Sequence, residues 1–220
     1  MRVRMMALTL LVAAGGWGNA RAMAAGASPV RTTAPDSAIT SKFEVNGLTV
    51  ILRRNAANEV VVANLYLLGG ARQLTPQTAG IEALVLAASE RGARRFPGAA
   101  VRQRTARLGS TIGIEANDDW SAIGLRAIRA TFDSTWAIFA DRVMAPTLDP
   151  AEVEIVRDQF MTVANERTTQ PDDAASELAD SLLYAGHPYD ISTGGTLASL
   201  KAITVGICGD ARAAAQALVE

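Results

Sequence analysis

Thr78-Ala-Gly-Ile-Glu-Ala-Leu-Val-Leu-Ala-Ala-Ser-Glu90 is the stretch on which the fold turns. Ile81, Leu84, Val85 and Ala88 recur at helical spacing on one face. Leu86 and Ala87 carry the apolar surface further round, so the spacing predicts a buried helix. Glu82 is the one acid inside it, Glu90 lies at its end, and Gly92 follows as a C-terminal stop.

Upstream, Phe43-Glu-Val-Asn-Gly-Leu-Thr-Val-Ile-Leu52 alternates around Asn46-Gly47, a dipeptide that tolerates the positive φ of a two-residue hairpin turn. Glu59-Val-Val-Val-Ala-Asn-Leu-Tyr-Leu-Leu68 is apolar on both faces over much of its length, which predicts a strand central in a sheet, ended by Gly69-Gly70. Downstream, Ala99 to Leu108 reads as a basic amphipathic helix stopped at Gly109. Thr111 to Glu115 and Trp120 to Ile128 read as a strand pair around Asn117-Asp118-Asp119. Helices are expected over Asp133 to Met144, Ala151 to Arg167 (started by Asp149-Pro150), Asp172 to Tyr184, briefly at Leu197 to Leu200, and over Asp210 to Val219. Strands before helices, with one strand pair between, give an α+β class: a mainly antiparallel β-sheet packed against helices.

Composition narrows the chemistry. The 220 residues contain one histidine, His187, and one cysteine, Cys208. A two-histidine zinc motif, a four-ligand Cys/His structural zinc site and an internal disulfide each need more. A Ser-His-Asp or Cys-His site requires the fold to bring His187 to a nucleophile. The first 22 residues read as a secretory signal. Arg2 and Arg4 precede an apolar run from Met5 to Gly15, and Ala20-Arg21-Ala22 forms a small-x-small cleavage site, with Ala22-Met23-Ala24 as the second choice. The run is too short and glycine-interrupted for a membrane span; a retained anchor is the alternative, and no later segment reaches spanning length. Without Arg2, Arg4 and Arg21 the 21 basic residues become 18 against 22 acidic ones, a net charge of −4 that does not suggest nucleic-acid binding. Export to a periplasm or cell envelope is the expected location. Residues 23–40, rich in Ala, Ser, Thr and Pro, read as a flexible lead-in, 41–204 as the folded domain and 205–220 as a divergent tail.

The order and wording of these pieces resemble the N-terminal domain of the insulinase/pitrilysin-type metallopeptidases, which include mitochondrial processing peptidase and paired bacterial periplasmic subunits. The matching features are Asn46-Gly47-Leu48-x-Val50, Gly69-Gly70-Ala71-Arg72, Ala79-Gly80-Ile81 and Arg91-Gly92-Ala93-Arg94-Arg95-Phe96-Pro97. Leu108-Gly109-Ser110, Pro146-x-Leu148, Gly186-His187-Pro188-Tyr189 and Gly195-Thr196-x-x-Ser199-Leu200 complete them. Each is weak alone; their order and spacing make the likeness specific. From Thr204 the likeness decays. Two readings follow, a short protein or a frameshifted or truncated longer subunit, and the second is preferred.

In active members of that family a His-x-x-Glu-His motif on the first helix supplies two zinc ligands and a general base, and a glutamate on a later helix completes the ligand set. Aligned through Gly80-Ile81, those positions are Ala83, Leu86, Ala87 and Val163, all aliphatic. A shifted register does not help, because no histidine precedes His187. Glu82 sits about 100° around the helix from Ala83, and Glu166 lies three residues from Val163. The expectation is therefore a site with no catalytic residue, no metal ligand and no cofactor, where active relatives carry zinc.

Other candidates have blander readings. His187 reads as a loop residue; no Gly-x-Ser-x-Gly elbow accompanies it. Arg91, Arg94, Arg95, Arg102, Arg104 and Arg107 form a basic stretch that suits either a phosphate or acidic-peptide site or a solvated face neutralised by local acids, the latter preferred. Asp118-Asp119 reads as a turn rather than a cation site, Gly194-Gly195 fits no phosphate-cradling pattern, and Trp120 and Trp136 read as core.

The resemblance implies a secreted, periplasmic homologue lacking the zinc site and inactive on its own. It would be a partner or peptide-binding subunit of a zinc-bearing homologous chain, contacting unstructured peptides. The alternatives are an active metalloendopeptidase through a rearranged site such as Glu82, Glu166 and His187, or an envelope assembly protein.

Overall fold

The computed structural model describes residues 39–55, 57–204 and 206–209. The expected signal segment 1–22, nearly all of the lead-in 23–40 and the final helix from Asp210 to Val219 lie outside the described residues.

The described residues begin with a hairpin. β1 (Thr40–Val45) and β2 (Leu48–Arg53) pair antiparallel, with Val45 opposite Leu48. The two residues between them, Asn46 and Gly47, take φ of 48° and 83°, the doubly positive turn that follows the twist of the strands and that Asn-Gly tolerates. A second sheet has the order β3-β5-β4, from β3 (Val60–Leu68), β4 (Thr111–Ala116) and β5 (Trp120–Ile128), all antiparallel. Register puts Leu65, Ile123 and Ile114 in one row across it, and Ala63, Leu125 and Ile112 in the next. Alternation sends both rows to the same face, and they form one apolar cluster with Phe139 and Leu86.

β5, not β3, is the central strand among the described residues. The expectation for β3 fails because its apolar residues split between two environments. Ala63 and Leu65 pack inward, whereas Val62, Tyr66 and Leu68 stand exposed on the outer face, Leu68 at 78%.

The helices stack behind the inner face. α1 (Ile81–Ala88) is followed by a 3₁₀ turn, Ser89–Arg91. Then come α2 (Gly98–Leu108), α3 (Phe132–Met144), α4 (Pro150–Thr169), α5 (Pro171–Leu183) and α6 (Leu197–Ala202). Asp149 caps α4 by accepting from the Ala151 N–H at 3.0 Å, with Pro150 in the first turn. Thr196 and Ser199 form a reciprocal capping box at α6. Gly92 ends the 3₁₀ turn, as the stop expected of it, in extended backbone (φ 163°).

α1 lies between two cores, which is why it is apolar nearly all round. Leu86 joins the sheet cluster. Ile81, Leu84 and Ala88 join the second cluster, with Val153, Val156 and Ala164 of α4, Leu200 of α6, Ile203 and Cys208. The start of α1 is fixed by a close backbone approach: Gly80 (φ 85°) meets Gly195 (φ 78°), and a Cβ on Gly80 would stand 2.7 Å from the Gly195 Cα. Only glycine accepts both that φ and that contact. Two motifs more than a hundred positions apart are thereby joined. Arg167 of α4 holds the second of them, donating to the Gly195 carbonyl at 2.8 Å and to Ser192 Oγ at 3.2 Å.

Candidate functional site

Ala83 and Ala87 are one turn apart on α1 and share a face. Ala83 is buried and Ala87 packs against the α4 cluster. Leu86 points to the sheet, among residues that include Ile123, Leu125 and Phe139. Val163 is on α4, the helix that packs against α1, and is half exposed beside buried Ala164. None of these four side chains carries a lone pair. The residues present do not fit a zinc ion, which needs N, O or S donors.

The rearranged set is not brought together. Glu82 leaves α1 toward β5, where Ser121 Oγ donates to its Oε2 at 2.6 Å. Glu166 is exposed on α4. His187 sits in a surface loop, its Nδ1 accepting from the Tyr189 N–H at 3.2 Å and its ring edge-on to Tyr189 at 4.8 Å. Among the described residues no group of three or more His, Cys, Asp or Glu could hold a metal ion.

That loop is tied down by residues 70 positions and more away in sequence. Tyr189 Oη donates to the Asp119 carboxylate at 3.1 Å, and Arg72 meets Asp119 at 2.9 Å. The hydrogen bond to the negative carboxylate holds the Tyr189 phenol above its ordinary pKa. Asp119 is therefore occupied by protein partners, and Asn117 Oδ1 closes the turn by accepting from the Asp119 and Trp120 N–H groups, both at 3.0 Å. The two tryptophans are not core residues. Trp120 meets Tyr66 edge-on at 5.0 Å and is only partly buried; Trp136 stacks on Phe139 at 5.3 Å and is 46% exposed.

The basic stretch divides. Buried Asp141 of α3 accepts from the Arg95 backbone N–H at 2.8 Å and from Arg95 Nε at 3.1 Å, and Arg95 and Arg104 both lie over the Phe96 ring. These arginines hold the 91–97 loop. Arg91 and Arg102 instead turn to a cavity of about 360 Å³ that also borders Ala87, Glu90 and Arg142. Arg142 was not singled out from sequence: it lies 51 positions beyond Arg91, in an ordinary amphipathic helix, and only the packing of α3 behind the 3₁₀ turn reveals it. Burial pushes its guanidinium pKa down, against the opposing pull of the Glu90 carboxylate.

With this geometry fixed, solved structures give the comparison. A peptidase M16 inactive domain from Pseudomonas fluorescens superposes with a TM-score of 0.74 at 21% identity, covering 79% of this chain and 43% of that one. The periplasmic protease PqqL from Escherichia coli gives 0.73 at 16% identity over 82% of this chain and 21% of that one. A protease from Helicobacter pylori gives 0.68 at 14% identity over 79% and 42%. The chain has the M16 fold. The likeness to the insulinase/pitrilysin type is thus borne out in architecture, as is the α+β class. No protein-family model and no curated protein matches the sequence. The chain spans less than half the length of the M16 structures it matches.

The M16 comparison also corrects one expectation. A flat absence of cofactor does not stand, because the matched structures include proteases of the same architecture. What belongs to this chain is the aliphatic character of positions 83, 86, 87 and 163. Among the described residues no helix is long and apolar enough to cross a membrane.

Proposed function

We propose that this chain is a secreted, non-catalytic homologue of the M16 peptidases that contacts peptide beside a homologous, zinc-bearing subunit. The single observation that carries the reading is that Ala83, Leu86, Ala87 and Val163, the four positions that the family resemblance aligns with the zinc motif, are all aliphatic in a chain with the M16 fold. The M16 inactive domain among its structural neighbours supports it, and a periplasmic neighbour supports the location together with the signal-like residues 1–22. A peptide in extended form would add to β4, an edge strand of the sheet among the described residues. β4 also borders the cavity beside Ala87 through Ile112.

The test is peptide cleavage by the purified chain, alone and with a zinc-bearing M16 homologue, with and without chelator. The chain alone is expected to leave the peptides intact while binding them, and to co-elute with the homologue. Chelator-sensitive cleavage by the chain alone overturns the reading. Co-elution without peptide binding favours an assembly role instead.

A further inference from the structure

The cavity beside Ala87 holds more positive charge than the protein neutralises. Three guanidinium groups border it, from Arg91, Arg102 and Arg142, against one carboxylate, Glu90. Arg142 is 3% exposed; its Nη2 donates to Glu90 Oε1 at 3.2 Å and to Ser89 Oγ at 3.3 Å, while its buried Nε–H has no hydrogen-bond partner. Arg91 donates to Gln159 Oε1 at 3.0 Å and lies 3.8 Å from Glu152. The Arg102 guanidinium has no hydrogen bond or ion pair among the described residues. The remaining wall is largely apolar, with Val101, Ile112 and Val156. Positive groups on apolar walls attract an anion more strongly than the same groups in open water. The planar fork of arginine matches the two oxygens of a carboxylate. A volume of about 360 Å³ accepts a side chain, not a folded domain.

We propose that this cavity is a subsite for an acidic residue of a bound peptide, with Arg102 and Arg91 receiving the carboxylate and buried Arg142 supplying fixed positive charge behind them. The assignment rests on the peptide-contact reading above and adds its specificity. Ile112 makes the connection: it belongs both to the cavity wall and to the β4 edge strand, so a peptide lying on that edge presents a side chain to the arginines.

Two short unstructured peptides that differ only in one Glu or Gln supply the test, titrated into the full chain by calorimetry at low ionic strength. The Glu peptide is expected to bind about tenfold tighter, the worth of one charge-assisted hydrogen bond, with the preference shrinking as salt is added. Arg102→Gln, an exposed and unpartnered position, should remove most of the preference without moving the melting temperature; Arg91→Gln should remove a further part. Arg107→Gln, outside the cavity, should leave it whole. Equal binding of the two peptides overturns the acidic subsite and leaves the peptide-contact reading standing. A preference that survives both Arg102→Gln and Arg91→Gln also overturns it. Binding of neither peptide overturns both.

Discussion

Ser121 of β5 donates to Glu82 of α1 through a 2.6 Å hydrogen bond that spans 39 positions of sequence. Ser121 is almost wholly buried, so this bond fixes the rotation of α1 against the sheet and commits the acid nearest Ala83 to a structural partner. Ser121→Ala strands the partly buried carboxylate and is expected to cost about 1–3 kcal/mol. Glu82→Gln keeps an acceptor in place and should cost less. Urea unfolding of the two variants gives the order; a larger loss for Glu82→Gln would show that the carboxylate has another role.

Asp141 and Arg95 make an unequal pair. Asp141 is buried and accepts two bonds from Arg95, one of them from the backbone N–H, whereas the Arg95 side chain is 62% exposed. Arg95→Ala keeps the backbone bond and should cost under about 1 kcal/mol, as exposed ion pairs do. Asp141→Ala removes both bonds and hollows a buried site, and should cost about 1–3 kcal/mol. Equal losses in thermal melts would contradict this asymmetry.

Gly195→Ala places a Cβ 2.8 Å from the Ala79 carbonyl oxygen at a φ of 78°. Strain at such a position is on the order of 1–3 kcal/mol before the clash is counted. The variant should melt well below the parent, and Gly109→Ala, whose Cβ would meet open space at a φ of 59°, should lose less. Identical melting of the two would mean that the contact between the glycine motifs is unimportant.

The Tyr189 phenol, raised by Asp119, is expected to ionise later than an unperturbed tyrosine. The sign follows from linkage: because the folded value is raised, the contribution of this contact is whole below the ordinary value of ~10 and is lost as pH climbs through the higher folded value. Ultraviolet titration of tyrosinate should show a late component that Tyr189→Phe deletes. A curve unchanged by that substitution would count against the contact in solution.

Cys208 is buried against α4, and burial raises its thiol pKa, with Arg157 pulling weakly the other way. An aromatic disulfide reagent should react slowly with the folded chain and at once in urea, because the thiolate is the reactive form. Fast stoichiometric labelling in native buffer would show that residues 206–209 do not dock as described.

Local chemistry made much of the fold legible. Asn46-Gly47 declared its hairpin because few other pairs accept two positive φ angles, and Asp149-Pro150 declared the start of α4. The aliphatic positions 83, 86 and 87 were readable because a metal motif is defined by residue type at fixed spacing. Long-range pairings were hidden. Nothing in the local pattern of α3 says that Asp141 will hold Arg95 while its neighbour Arg142 reaches Glu90, in effect dividing the basic stretch. β3 misled for a related reason: alternation reports which side chains are apolar, not which face another layer covers.

Leu86 has a consequence for any charge placed at its position. Its side chain fills the sheet cluster with Ile123, Leu125 and Phe139. Placing a carboxylate there would bury a charge among hydrocarbons at a cost of several kcal/mol, on the order of what one buried ion loses on leaving water. That is a large share of the stability of a domain this size. Each apolar neighbour packed onto Leu86 adds to that cost, so close packing of the helix on the sheet and an ionisable side chain at this position exclude one another.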